Sequence, residues 1–143
     1  MSSPQCVFCR IVSREIPAEI LWEDERVIVI LDINPIHYGH ALVIPKHHER
    51  DLLTLKEDDL RSVMVATQNV ARALVRGLGV DGFNIFSNNG KIAGQSVFHF
   101  HMHVTPRYPH DNIRFVLQLK TYPSDAMPEY ARKIRLHLVP PSA

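Results

Sequence analysis

His99-Phe100-His101-Met102-His103 sets three imidazoles at every second position of the chain. In an extended segment successive side chains point to opposite faces, so residues i, i+2 and i+4 share one side. The histidines then line one face at spacings of about 7 Å, and Phe98, Phe100, Met102 and Val104 turn the other way, toward a core. Two chemistries suit such a face. Imidazole is the commonest metal ligand, and neutral imidazole is also a good nucleophile toward phosphorus or carbonyl carbon. A nucleophilic ring needs its second nitrogen to donate to an acceptor, which fixes the reactive tautomer. His101, with a neighbour on each side, suits that role best. The loop before it offers close backbone approach at Gly90 and Gly94 and neutral donors at Asn88, Gln95 and Ser96. Alone this reads as a small polar hairpin loop. Joined to the histidine segment it fits stabilisation of an equatorial phosphate in an in-line displacement.

Cys6 and Cys9, the two cysteines, form a Cys-x-x-Cys. A disulfide framework is excluded as the means of holding the fold. The pair by itself leaves a metal site and two free thiols open in equal measure.

The elements that must position these groups follow from periodicity. Residues 6–14 can form a short helical turn before Ile16-Pro17. Leu21–Glu23 and Val27–Leu31 read as strands joined by Asp24-Glu25-Arg26, and Ala41–Ile44 as a third stopped by Pro45. Residues 57–78 carry a 3.6-residue apolar period through Leu60, Val63, Met64, Thr67, Val70, Ala71, Leu74, Val75 and Leu78. Thr54 with Glu57 fits a capping box, and Gly77 or Gly79 can end the helix. Gly82–Ser87 reads as a fourth strand and 97–105 as the histidine strand, with a further helix near 126–138. Short connections and one long helix predict an α+β domain: an antiparallel sheet of about five strands, the long helix packed on it, and shorter flanking helices.

The chain has 143 residues, 45% apolar and 22% charged, which predicts a single domain spanning 1–143 with 110–143 as a C-terminal extension. A net charge of +1 and no Lys/Arg run give no nucleic-acid footprint. There is no apolar run of membrane length and no signal-peptide pattern, so a cytoplasmic location without membrane partners is expected.

Gln95-Ser96-Val97-Phe98-His99-Phe100-His101-Met102-His103-Val104 resembles the signature of the histidine-triad (HIT) family of nucleotide hydrolases and transferases. The likeness extends in order and spacing through most of the chain. Cys6-Val7-Phe8-Cys9, Glu15-Ile16-Pro17-Ala18, Trp22-Glu23-Asp24-Glu25, Asp32-Ile33-Asn34-Pro35, Gly39-His40, Val43 through His48, Asp81 through Asn84 and Asn88 through Gly94 are all similar to family blocks. The resemblance implies that His101 attacks the α-phosphorus to form a nucleotidyl-histidine. His99 would orient it through a backbone contact, His103 would contact phosphate or leaving group, and His40 would stand behind the triad. Asn88, Gly94, Gln95 and Ser96 would hold phosphate and leaving group, and Asp32 the ribose. Ile33, with Ile28 or Phe8, would wall a purine. No catalytic metal is required in this scheme, whereas a structural zinc on Cys6, Cys9, His48 and His99 is implied by bacterial-type members. Thr105-Pro106-Arg107-Tyr108 is similar to bacterial HIT hydrolases related to the Hint and Fhit branches, with a dinucleoside polyphosphate or nucleoside phosphoramidate as substrate, and a homodimer is expected. A nucleotide-binding signalling protein with little turnover and a zinc enzyme using the three triad histidines as ligands are the alternatives.

Overall fold

The computed structural model describes residues 3–139. They fall into two compact units, the first ending at Asn112 and the second beginning at Ile113. The first unit contains α1 (Val7–Val12), β1 (Ile20–Glu23), β2 (Val27–Leu31), β3 (Ala41–Pro45), α2 (Glu57–Leu78), β4 (Gly82–Phe86) and β5 (Met102–Arg107). The five strands form one antiparallel sheet in the order β1-β2-β3-β5-β4. This is the α+β architecture expected.

Both central strands are buried on both faces, so β2 and β3 are continuous apolar runs rather than alternating ones. Val27, Val29, Ala41, Val43 and Val104 pack on the α2 side with Val63, Ala66, Val70, Ala71, Leu74 and Phe100. Ile28, Ile30, Leu42 and Ile44 meet Phe8 and Ile11 of α1 on the other side. The short N-terminal helix therefore covers a second core that a one-sided sheet would leave in water.

In α2 the inward stripe is Val63, Ala66, Thr67, Val70, Ala71 and Leu74, whereas Met64, Val75 and Leu78 lie on its exposed flanks. A helix face that packs on a sheet spans only part of the circumference, and the expected stripe was wider than that. The capping box does not form. Lys56 is the N-cap without a side-chain bond, and Thr54 Oγ1 instead donates to Asp51 O at 3.2 Å. Glu57, Asp58 and Asp59 place negative charge in the first turn, which the helix dipole favours. Gly79 closes the helix at φ +64°, its N–H donating to Val75 O, a conformation that suits glycine.

The histidine segment is only partly strand. Pairing starts at Met102, and Val97–His101 approach through bends. Sidedness survives nonetheless, since Phe100, Met102 and Val104 join the α2 core. Phe98 does not. It is 40% exposed, under the Arg50 guanidinium at 5.5 Å. The reason is that Phe100 N–H donates to Glu49 O at 2.6 Å instead of entering the ladder, so the chain bends before Phe98 can reach the core.

The second unit contains α3 (Ala126–Arg135), three residues shorter than expected, with no buried residue. No helix among the described residues is long and apolar enough to cross a membrane.

Candidate active site

Register assembles the site. Leu42 of β3 and Phe86 of β4 both stand opposite His103 of β5, which puts His103 on the α1 side of the sheet. His99 and His101 arrive from the bent segment and are buried, and the Phe8 ring meets His101 edge-on with centroids 5.0 Å apart.

Hydrogen bonds define the tautomers. His101 Nδ1 lies 2.7 Å from His99 O. A carbonyl only accepts, so Nδ1 carries the proton and Nε2 keeps a lone pair. The Ile36 N–H donates to His40 Nδ1 at 3.0 Å, which requires the His40 proton on Nε2. That Nε2–H donates to His103 Nδ1 at 2.9 Å and leaves neutral His103 with its proton on Nε2. One ring thus offers a lone pair and its neighbour an N–H donor, with centroids 4.9 Å apart. Phe86 stacks on His103 at 4.4 Å and 8°, fixing the plane of that ring.

The relay works only with neutral imidazoles, because a protonated His40 would turn a second donor against the Ile36 N–H. Burial enforces neutrality. It pushes His103 down to about 4, with neighbouring His101 and His40 adding to the effect. Burial also lowers His40 and His101 against the opposing pull of Asp32.

The remaining expected residues divide. Asp32 follows β2, accepts the Asn34 N–H at Oδ1 (2.9 Å) and places Oδ2 3.8 Å from His40 Nδ1. Ile33 is 86% exposed and available to a ligand. Ile28 has no exposed surface in the core cluster, so it does not wall a base in this structure; the sheet's second core consumes it. Phe8 lies beneath the triad, also buried. Gln95 is not free to bind phosphate: its Oε1 accepts the Gly90 N–H at 2.8 Å and its Nε2 donates to Arg50 O at 2.7 Å and Val97 O at 3.1 Å. It staples the loop. Gly94, at φ +89°, stays exposed beside Asn88, as does Ser96.

Three further contributors shape the site. Phe86 is one; strand alternation could have found it. Main-chain oxygens of Pro45 and Glu49 carry no side-chain signal. His47 is exposed, yet its ring lies 3.1 Å from Asp59, a fully buried carboxylate that also accepts from Arg26 Nη1 at 2.9 Å. These bonds lower the Asp59 pKa against the desolvation that would raise it, and they tie the His47-His48 loop to the start of α2.

Beside the triad, ligating atoms of Cys6, Cys9, His48 and His99 all lie within 4.8 Å of one another. His99 Nδ1 is 3.4 Å from Cys6 Sγ, 3.6 Å from Cys9 Sγ and 3.2 Å from His48 Nδ1, and Cys9 Sγ is 3.3 Å from His48 Nδ1. A tetrahedral zinc with Zn–S about 2.3 Å and Zn–N about 2.0–2.1 Å holds its ligand atoms about 3.3–3.8 Å apart. The donor set fits. His99 Nε2–H donates to Pro45 O at 2.7 Å, turning the Nδ1 lone pair into the cluster, the usual outer-sphere partner of a metal-binding histidine. Burial pushes the Cys9 thiol up, so a thiolate there calls for a cation.

Residues 13–110 match the model of the HIT domain family. A HIT family protein from Bacillus anthracis superimposes with a TM-score of 0.88 at 32% identity, covering 96% of this chain and 100% of that one. A zinc-bound histidine triad family protein from Mycobacterium smegmatis is 46% identical with a TM-score of 0.74, covering 78% of this chain and 81% of that one. Adenylylsulfatase HINT3 of Arabidopsis thaliana is 40% identical over 106 residues, 74% of this chain and 54% of that protein. With a sheet, a triad and a sequence that agree throughout this region, the chain belongs to the HIT domain family.

Proposed function

We propose that this protein is a nucleotide hydrolase or nucleotidyl transferase acting at the α-phosphate of a purine nucleotide, with adenosine as the nucleoside. The observation that carries the reading is the 2.7 Å bond from His101 Nδ1 to His99 O, which leaves His101 Nε2 as the unprotonated nitrogen of a buried neutral ring. Nε2 attacks the α-phosphorus; the P–N bond forms as the bond to the leaving group breaks in line. His103 Nε2–H hydrogen-bonds an oxygen that gains charge during the displacement. Water then attacks the opposite face and gives up a proton to solvent as the P–N bond breaks and its electron pair returns to Nε2. Asp32 serves the ribose hydroxyls and exposed Ile33 one face of the base, while Asn88, Gly94 and Ser96 meet the phosphate and leaving group. Dinucleoside polyphosphates and nucleoside phosphoramidates are the proposed substrates, and the adenylylsulfatase relative adds adenylyl sulfate to the comparison.

Structural zinc on Cys6, Cys9, His48 and His99 completes the reading. Four protein ligands close the coordination sphere, so the ion would tie the N-terminus to the triad and leave the chemistry to imidazoles. The apolar flank of α2 at Val75 and the half-exposed Phe83 and Ile85 on edge strand β4 support a homodimer along helix and sheet edge. A reducing cytoplasm suits thiols that ligate metal.

Incubation with an α-labelled nucleotide, followed by quenching, tests the chemistry. Label should survive alkali, fall away in acid and vanish in His101→Ala. A His101→Ala protein of full activity refutes the reading, and tight nucleotide binding without label turns it into the binding-protein alternative. Zinc per chain should drop in Cys6→Ser/Cys9→Ser; equal zinc removes these ligands.

A further inference from the structure

His99 belongs to two constellations at once. Its ring nitrogen Nδ1 faces both thiols and His48, while its carbonyl oxygen accepts the Nδ1–H that sets the His101 tautomer. A second route links the same two places. His48 contributes its ring to the cluster, and the next residue, Glu49, accepts the Phe100 N–H at 2.6 Å. The peptide between His99 and Phe100 is therefore gripped at its N–H by the His48 loop and at its oxygen by His101. Displacement of either His99 or His48 moves the acceptor on which the His101 lone pair depends.

We propose that Cys6 and Cys9 are an oxidisable thiol pair whose state is transmitted to His101 through His99 and the His48-Glu49 segment. The proposal rests on the role given to His101 above, but its physical core is a coupling measurable without turnover. Both cysteines are free, three residues apart, with sulfurs in one cluster; Cys6 is partly exposed and Cys9 buried. The oxidant is hydrogen peroxide. The partly exposed Cys6 thiol attacks it, forming an S–O bond as the O–O bond breaks and giving Cys6 sulfenic acid and one water. The Cys9 sulfur then attacks Cys6 sulfur, forming the disulfide and releasing a second water. Two hydrogens leave the protein and the peroxide takes up two electrons. A disulfide cannot supply the thiolates of a metal site, and it withdraws two of the three partners that His99 Nδ1 has in the cluster. The fully buried His99 ring then keeps the Pro45 and His48 hydrogen-bonding contacts and the edge-on Phe8 ring to define its place.

The experiment uses the full chain, once loaded with zinc and once stripped of it, each treated with hydrogen peroxide and then with a dithiol reductant. Intact mass and thiol counting follow the cysteines, and nitrogen-15 NMR follows the protonated Nδ1 of His101. The stripped chain should lose two hydrogens within one chain, and the His101 signal should move and return on reduction. The zinc-loaded chain should resist oxidation. Single-turnover labelling of His101 should slow about 10- to 100-fold in the oxidised form, the scale expected when a reacting group is misplaced by about 1 Å. Cys6→Ser should abolish the peroxide response of the His101 signal. An intrachain disulfide that leaves the His101 signal unmoved overturns the coupling, and sulfinic acids or interchain dimers in place of that disulfide overturn the pair. Failure of His101 to take label even before peroxide counts against the proposed function instead, and the NMR readout still decides the coupling. Recovery on reduction separates a switch from unfolding.

Discussion

Replacing His40 with leucine removes the middle of the Ile36–His40–His103 relay while keeping a side chain of similar bulk. His40 is only 2% exposed, so water cannot substitute for it. Two groups lose their partners: the Ile36 N–H at 3.0 Å and His103 Nδ1 at 2.9 Å. An orphaned buried polar group costs about 1–3 kcal/mol, and Ile36 lies partly in solvent, so the sum falls near 2–4 kcal/mol. The effect on rate is smaller than the chemistry of the site first suggests. A freed imidazole samples both tautomers, so the competent His103 fraction drops only by a factor of roughly two to five, and loose orientation raises the total loss to about tenfold. His40→Leu should therefore be a moderate catalytic lesion and a large stability lesion, the reverse of His101→Ala. Urea unfolding gives the first quantity and single-turnover labelling of His101 the second. An unchanged urea midpoint would refute the relay as a buried, satisfied chain. Full stability with labelling slowed a thousandfold would show that His40 takes part in proton transfer, which the geometry does not require.

Acid should destabilise the fold through the same rings. His103 titrates near 4 in the folded chain and His40 is also lowered, whereas an unfolded histidine titrates near 6.5. The unfolded chain binds the protons first, so stability is present above about 6.5 and is lost as pH falls through about 4. Urea midpoints measured from pH 7 down to 4 should decline in that window, and a midpoint that rises instead contradicts neutral buried imidazoles. Labelling of His101 should begin to slow only at a pH lower than an ordinary histidine would impose, because burial holds its ring below the usual histidine range. Gly39→Ala should cost about 1–3 kcal/mol in urea unfolding. Its φ of +97° strains any β-carbon, and Pro106 Cγ at 3.3 Å must give way, while the 2.6 Å approach to Leu78 Cδ1 is relieved by rotation of a half-exposed side chain. A neutral Gly39→Ala result would show that the Tyr38–His40 turn is pliant.

What the sequence by itself determined is local. Alternation alone sent Phe100, Met102 and Val104 to the core and the histidines away from it, even where the chain bends before β5, because opposite-facing side chains need only extended backbone. The 3.6-residue period located α2 to the residue, and Gly79 ended it, since both depend on neighbours within one turn. The likeness of the motifs gathered Cys6, Cys9, His48 and His99, which no local rule connects. Tertiary structure decided everything that depends on a partner distant in the chain. Register of β5 against β3 on one side and β4 on the other chose Leu42 and Phe86 as neighbours of His103. Main-chain oxygens of Pro45 and His99, invisible as residue types, selected the ring tautomers. Filling of the second core under α1 buried Ile28, and the Gly90, Arg50 and Val97 backbone claimed Gln95. A polar group acts on whatever its hydrogen-bonding capacity has left over, and that remainder is set only when the whole chain has packed.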